Sequence, residues 1–94
     1  MKNGLNIGKY VYNEHRNGEG KLHRVDGPAV ICPNGTKEWY INGKLHRVDG
    51  PAIEYNTGTK VWCLDSSYYT EKEYYKELYK RGLISKVELL VELI

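Results

Sequence analysis

Two copies of the sequence His-Arg-Val-Asp, at residues 23–26 and 46–49, carry the residue types best suited to chemistry. A histidine near an aspartate could act as a general base oriented by a carboxylate, and a histidine beside an arginine could hold a phosphate group. An aspartate before Gly-Pro, however, commonly caps a turn, and the arginine two residues earlier can pair with it. Because catalytic sites are rarely duplicated along an array, we expect both copies to be structural, with ligand contact and catalysis as the alternatives.

The sequence contains no recognised signature of a catalytic nucleophile, a phosphate-binding loop or a zinc finger. There is no GxSxG segment and no GxxxxGK[ST] loop. The residues that could bind a metal lack finger spacing; they are His15, His23, His46, Cys32 and Cys63. We therefore expect a protein that is not an enzyme and uses neither a metal nor a cofactor.

The segment SSYYTEKEYYKELYKRG, residues 66–82, combines five tyrosines with lysine and arginine. Tyrosine is enriched at protein interfaces, and aromatic rings beside basic residues can stack on single-stranded nucleic acid. Alternatively, some of these tyrosines pack inward because the chain has no phenylalanine. The candidate partner-binding residues are Tyr68, Tyr69, Tyr75, Tyr79, Arg24, Arg47 and His46.

Composition favours one small domain with no strong electrostatic preference. The 94 residues include 14 basic and 12 acidic ones, giving a net charge of +2, which is too small to indicate nucleic-acid or membrane binding by itself. No apolar run approaches the length of a membrane span, and the first ten residues lack the apolar core of a signal peptide. We expect a cytoplasmic protein in which Cys32 and Cys63 are buried, unpaired thiols.

The chain contains a tandem repeat of 23 residues. When residues 20–42 are aligned with residues 43–65, 14 of 23 positions are identical, ten of them in the run GKLHRVDGPA. Self-similarity at a fixed period is typical of repeat arrays, in which each unit packs on its neighbours.

Turn residues indicate that each repeat forms two or three short strands of an antiparallel meander. Asn34-Gly35 and Asn42-Gly43 favour two-residue type I′ turns, and the two Asp-Gly-Pro segments mark a third break in each repeat. Alternation along the strands predicts a core stripe on one face. Its members are Val30, Cys32, Trp39, Ile41, Ile53, Tyr55, Trp62 and Leu64, with Leu22 and Leu45 at the margin.

Both ends of the chain depart from the repeat. Residues 5–19, with a strand at residues 10–12, read as a degenerate capping repeat whose register is disturbed by an insertion at Glu19-Gly20. Residues 70–94 read as a helical cap with capping boxes at Thr70 and Ser85 and with Gly82 ending the first helix.

The last helix carries more apolar residues than a thin sheet needs. Two full repeats are fewer than a stable array requires, so either the helices cover the sheet or a second copy supplies further core. We favour a homodimer through the C-terminal helices. The candidate dimerisation residues are Val87, Leu90, Val91 and Ile94.

These repeats resemble the MORN family over residues 20–65. The match is closest to a MORN-like variant with the signature H-R-x-D-G-P-A…G-x-K-x-W-Y-x-N-G, associated with small proteins of bacteriophages and giant viruses, and looser to ordinary MORN repeats. The resemblance implies an accessory role during infection. It points to a phage-encoded protein in the host cytoplasm that binds and inhibits a host defence protein, such as a CRISPR effector or a defence nuclease or toxin.

The sequence therefore predicts an α+β protein of one domain, residues 1–94. A capping repeat at 5–19, full repeats at 20–42 and 43–65, and a helical cap at 70–94 would compose it. The predicted function is non-catalytic protein binding. The alternatives are a nucleic-acid or nucleotide-binding protein that uses the His-Arg row and the tyrosines, and a structural or assembly subunit.

Overall fold

The predicted α+β fold is confirmed by the computed structural model, which describes residues 13–94. Eight short strands precede two C-terminal helices in this part of the chain. The strands are β1 (Asn13–Glu14), β2 (Val30–Ile31), β3 (Lys37–Glu38), β4 (Tyr40–Ile41), β5 (Lys44–Leu45), β6 (Ile53–Glu54), β7 (Lys60–Leu64) and β8 (Ser67–Tyr69). The helices are α1 (Glu71–Lys80) and α2 (Lys86–Leu93).

Six strands form one antiparallel sheet in the order β1-β2-β3-β6-β7-β8, and β4 pairs with β5 in a separate two-stranded ribbon. The strand pairing repeats with the sequence. Val30 pairs with Glu38 in the first full repeat, and Ile53 pairs with Val61 at the same positions of the second. The β4–β5 ribbon recurs in the same way, 23 residues later, as the β7–β8 hairpin. Strand β8 is thus the beginning of a third repeat, which the sequence pattern did not predict.

The turn at Asn42-Gly43 has positive φ at both residues, 49° and 81°, as expected for type I′. The equivalent turn before β8 has φ values of 50° at Asp65 and 65° at Ser66. This second turn therefore has the same shape without a glycine, which explains why β8 was missed.

The expected type I′ turn at Asn34-Gly35 was wrong. Only Gly35 has positive φ there, 93°, and the Cys32 N–H donates to the Thr36 carbonyl at 2.8 Å, closing a three-residue loop. The Asn34 side chain accepts a hydrogen bond from the Thr36 N–H at 2.9 Å. Asn34 therefore stabilises the loop through its side chain, and Gly35 alone adopts the left-handed conformation.

The predicted insertion near Glu19-Gly20 shows in the register of β1. Asn13 pairs with Ile31, whereas an undisturbed repeat would place residue 14 there. His15 therefore occupies the position that Trp39 holds in the next repeat. The N–H groups of His15 and Trp39 donate, at 2.8 and 2.7 Å, to the alanine that ends the next KLHRVDGPA segment. The rest of the predicted repeat before residue 13, including the strand at 10–12, lies outside the described residues.

The core differs from the predicted stripe. Tyr55 is exposed, and Cys32, Trp39, Ile41 and Trp62 are only half-buried. Most strands are two residues long, so alternation does not continue far enough to bury a whole face. Among residues 13–94, the buried apolar residues are Ala29, Val30, Ala52, Ile53, Cys63, Leu64, Tyr74 and Leu78.

Both helices begin at the predicted capping boxes. The Thr70 side chain accepts from the Glu73 N–H while the Glu73 carboxylate accepts from the Thr70 N–H, and Ser85 and Glu88 repeat this arrangement. Gly82, with φ of 76°, follows the last turn of α1 as expected. Neither helix within residues 13–94 has the length and apolar character needed to cross a membrane.

Helix α1 covers the last tryptophan of the array. The rings of Tyr74 and Tyr75 lie 4.9 and 5.6 Å from that of Trp62, measured between centroids. The Tyr74 hydroxyl donates to the Arg47 carbonyl and accepts from the Gly50 N–H at 3.4 Å. Leu64, Tyr74 and Leu78 form a fully buried cluster. The helix thus fills the place that a further repeat would occupy.

Burial of tyrosine hydroxyls predicts a loss of stability at alkaline pH. Burial raises the pKa of Tyr74 to about 12, and burial together with the nearby Glu38 carboxylate raises the pKa of Tyr40 to about 12. The unfolded chain releases these protons near pH 10, so the free energy of unfolding should fall as pH rises from about 10 to about 12. Urea unfolding at a series of pH values measures this decline.

Tyr74→Phe should make that decline shallower, because one of the two tyrosines whose pKa is raised to about 12 is removed. Tyr79→Phe changes an exposed tyrosine and serves as the control, which should keep the wild-type slope. Equal slopes in all three proteins would contradict the assignment.

Candidate functional site

Arg47 joins the two full repeats. Its guanidinium carbon lies 3.8 Å from the centroid of the Trp39 ring. Nε donates to Asp49 at 2.9 Å, and Nη1 donates to Glu54 at 2.7 Å and to the Pro51 carbonyl at 3.1 Å. A planar guanidinium can stack on a ring and donate hydrogen bonds in its own plane at the same time. Arg47 thereby joins the Asp-Gly-Pro segment of its own repeat, which we call a corner, to Trp39 of the preceding repeat.

Arg24 makes the corresponding contacts one repeat earlier. Nε donates to Asp26 at 3.0 Å, and Nη1 donates to the Pro28 carbonyl at 3.4 Å and to His15 Nε2 at 3.2 Å. Because His15 occupies the position equivalent to Trp39, Arg24 also contacts an aromatic ring of the preceding unit. This contact is a hydrogen bond to the imidazole, whereas Arg47 stacks on the indole ring. The expected pairing of arginine with aspartate is confirmed in both repeats.

Each Asp-Gly-Pro corner has a glycine at its middle position because the arginine guanidinium of the same repeat lies against that residue. A Cβ added at Gly50 would lie 2.8 Å from Arg47 Cζ, and one at Gly27 would lie 3.1 Å from Arg24 Cζ. The first distance is shorter than real Cβ atoms tolerate, and Arg47 is held in place on several sides. The recurring HRVDGP sequence is therefore a packing unit.

The two repeated histidines hold the turns that follow them. His23 Nδ1 accepts from the Asn42 N–H, and His46 Nδ1 accepts from the Asp65 N–H, each at 3.0 Å. The aspartates of the same motif pair with arginine, so neither histidine is oriented by the carboxylate of its own motif. The Arg24 guanidinium also holds the pKa of the Asp26 carboxyl below its usual value.

The two cysteines form no disulfide, and their surroundings disfavour the thiolate. Both are free; Cys63 is fully buried and Cys32 is half-buried, so the expectation of two buried thiols holds fully for Cys63 alone. Burial raises the pKa of each thiol, with Glu38 adding to the effect at Cys32. A protonated thiol is a poor nucleophile and a poor metal ligand.

The two arginine corners enclose the corner groove, a cavity of about 370 Å³. Its volume lies within the range of small-molecule and side-chain pockets. Trp39 and Ile41 contribute apolar surface, and both corners contribute one arginine–aspartate pair each. The lining residues are Arg24, Val25, Asp26, Gly27, Trp39, Ile41, His46, Arg47, Val48 and Asp49.

Two valines in the corner groove are left in solvent. Val25 is 81% exposed and Val48 is 44% exposed, although each lies between an arginine and an aspartate that are paired with each other. They occupy equivalent positions of the two repeats. An apolar residue displayed at the same place in successive repeats adds nothing to the core, which makes this surface the best candidate for contact with a partner.

The seven candidate partner-binding residues do not form one surface. Arg24, Arg47 and His46 line the corner groove. Tyr68 and Tyr69 line a second groove of about 430 Å³ beside α1, together with Glu73, Lys76, Glu77 and Lys80. Tyr69 and Tyr75 pack against the buried cluster of Leu64, Tyr74 and Leu78, whereas Tyr68 and Tyr79 are exposed.

Sequence reasoning did not single out Val25, Val48 and Trp39 as site residues. The available signal was the valine inside an otherwise polar turn, repeated without change in both copies. Trp39 was assigned to the core from alternation along its strand, and its stacking partner, Arg47, eight residues later in the next repeat, gave no local signal.

Comparisons with protein-family models, with curated proteins and with solved structures find no match to this chain. The resemblance to MORN-like repeats therefore stays a prediction. Within residues 13–94, no three His, Cys, Asp or Glu side chains cluster in a way that could hold a metal ion.

Removal of Arg47 should destabilise the protein more than removal of Arg24. Arg47→Ala loses the stack on Trp39 and leaves Asp49 and Glu54 without their shared partner, which we expect to cost about 2–4 kcal/mol of unfolding free energy. Arg24→Ala removes a more exposed side chain, 32% against 18%, and should cost about 1 kcal/mol.

Urea unfolding of the two alanine variants and of Arg47→Lys tests this difference. The lysine variant keeps the charge but loses the planar fork, so it should recover little of the lost stability. Equal losses at the two arginines, or full recovery with lysine, would show that stacking on Trp39 does not join the repeats.

Proposed function

We propose that this protein is a non-catalytic binding module whose corner groove receives an apolar side chain of a protein partner. The observation that carries the proposal is the exposure of Val25 and Val48 around a groove that also contains Trp39. Tryptophan and arginine are the residue types enriched at the energetic centres of protein interfaces. An apolar centre surrounded by paired charges is the usual anatomy of such an interface.

The charges of the corner groove favour a protein over a nucleic acid. Both arginines use Nε to pair with an aspartate of the same corner, so each corner presents a neutral pair. Nucleic-acid binding depends on cations available to phosphate. The His-Arg row, which the alternative function requires, is therefore already engaged within the protein, and both histidines use Nδ1 to hold a turn.

The spacing of the two corners also favours a partner whose contact residues recur at the same interval. Two strands per repeat in the main sheet separate equivalent corners by about 10 Å. An α-helix places residues seven apart at about the same spacing. A partner helix with apolar residues at positions i and i+7 could therefore contact Val25 and Val48 together.

The partner class that we propose is a host defence protein, encountered in the host cytoplasm. The support for this choice is the resemblance of the repeats to those of small phage and giant-virus proteins. A small chain that presents a binding groove without reactive groups suits an inhibitor that occludes a functional surface of its target.

Peptide selection tests the binding groove while the identity of the partner is still open. A displayed library of helical and extended peptides would be selected on the wild-type protein. Enriched peptides should carry an aromatic or branched apolar anchor, and NMR titration should shift the amides of residues 24–27 and 46–49. Shifts confined to Tyr68, Tyr69 and α1 would place the binding site elsewhere.

Lysine substitutions separate the protein-binding and nucleic-acid hypotheses. Val25→Lys and Val48→Lys should each weaken a selected peptide about tenfold or more, because an apolar contact of about 1–2 kcal/mol is lost. Thr57→Lys, at an exposed position of another turn, is the charge-matched control. If the groove instead binds nucleic acid, the two valine variants should bind a labelled oligonucleotide more tightly, with a steeper salt dependence.

A cellular assay tests the defence-protein partner. Co-expression of the wild-type protein should restore plasmid transformation or phage plating in a bacterium that carries one defence system, and the Val25→Lys, Val48→Lys double variant should lose this effect. Restoration by the double variant would separate any inhibition from the corner groove. No restoration across a panel of defence systems would argue against this partner class.

A further inference from the structure

Helix α2 carries an apolar stripe that nothing in the described chain covers. We call it the outer stripe; it consists of Val87, Leu90, Val91 and Ile94, which are 70%, 53%, 60% and 101% exposed. The other two leucines, Leu89 and Leu93, are half-buried, and α2 packs on α1. The outer stripe is therefore additional to the face that attaches α2 to the protein.

The spacing of the outer stripe is the same when read in either direction. The intervals from Val87 to Ile94 are three, one and three residues. When two such helices pack antiparallel about a two-fold axis between Leu90 and Val91, each valine or leucine meets an apolar residue of the other copy. Val87 lies opposite Ile94, and Leu90 lies opposite Val91. A self-complementary surface of this kind is what an isologous dimer requires.

The charges of α2 also favour the antiparallel arrangement. Its last turn contains no basic residue, so the negative end of the helix dipole lacks a compensating cation. Lys86, in its first turn, is at the end where a cation is unfavourable. In the antiparallel pair, Lys86 of each copy lies beside the C-terminal turn of the other. Each lysine then compensates the negative end of the other helix's dipole. A parallel pair would instead place the two lysines together.

The acidic residues of α2 flank the outer stripe on one side. Glu88 and Glu92 line a groove with Tyr75, Ile84 and two residues of the outer stripe, Val87 and Val91, and the negative charge of Glu92 raises the pKa of Tyr75, although less than burial does. The four residues of the outer stripe are themselves uncharged. The same carboxylates make α2 a poor match for an anionic membrane surface, which attracts basic helices.

We propose that the occupant of the outer stripe is a second copy of this chain, bound antiparallel through α2. The proposal rests on α2 alone and does not depend on the corner groove. Because the interface is two helical turns long, the dimer belongs with weak complexes that form at the low end of interface sizes. Its mass should rise from 10.9 kDa toward twice that value as the concentration increases from about 10 µM to about 1 mM.

Light scattering with charge-swap variants tests the interface. Leu90→Glu and Leu90→Lys should each be monomeric at all concentrations, because two like charges would meet at the two-fold axis. An equimolar mixture of the two should recover the dimer, which shows that both variants are folded. Thr57→Glu, an exposed position outside α2, should behave as the wild type.

Lys86→Glu tests the direction of the helices. In the antiparallel dimer it places an anion beside the negative end of the other helix, and we expect association to weaken about threefold to thirtyfold. Unchanged or tighter association would overturn the antiparallel arrangement. A wild-type monomer at about 1 mM, a dimer insensitive to both Leu90 variants, or a mass well above that of a dimer would overturn the proposal itself.

Discussion

The array depends on an arginine side chain held between two neighbours. In each repeat the guanidinium lies against the glycine of its own corner and against an aromatic ring of the preceding unit, Trp39 for Arg47 and His15 for Arg24. Only a flat cation that donates from its edge can meet both demands. The aspartate, the glycine and the carbonyl of the following proline each satisfy one requirement of that side chain. This geometry explains why the HRVDGP segment is identical in the two repeats while most positions that follow it have changed.

At the end of the array, no following repeat supplies an arginine to stack on Trp62, and α1 covers this ring instead. Thr70 stands where a following repeat would carry its arginine, and the rings of Tyr74 and Tyr75 cover Trp62 instead. The Tyr74 hydroxyl reaches back to the corner of the last full repeat, so the helix is attached at two points. Full burial of large side chains occurs at this junction, in the cluster that Tyr74 forms with two leucines. The sheet itself stays thin and leaves its grooves open, which is compatible with a surface used for binding.

Local signals were sufficient to predict the repeat, the Asn42 turn and both helix starts, because each depends on residues that are close in sequence. The prediction failed where the determinant was distant or unusual. The Asp65-Ser66 turn lacks glycine, so β8 was missed. A one-residue insertion hid the equivalence of His15 and Trp39. The core was misplaced because two-residue strands do not sustain alternation. At the candidate site, the arginines and His46 could be named from the motif. The valines could not, since solvent exposure of an apolar residue in a turn is decided by the packing of two repeats.

The way in which α1 closes the sheet has a consequence for how such a protein can change in evolution. The helix contacts the last unit and requires nothing of the units before it. Duplication of one 23-residue segment in the gene would therefore lengthen the molecule by about 10 Å and leave both termini as they are. Each such event would add one more groove in register with the others. The length of surface that such a protein presents to a target therefore changes in fixed steps, one for each copied repeat.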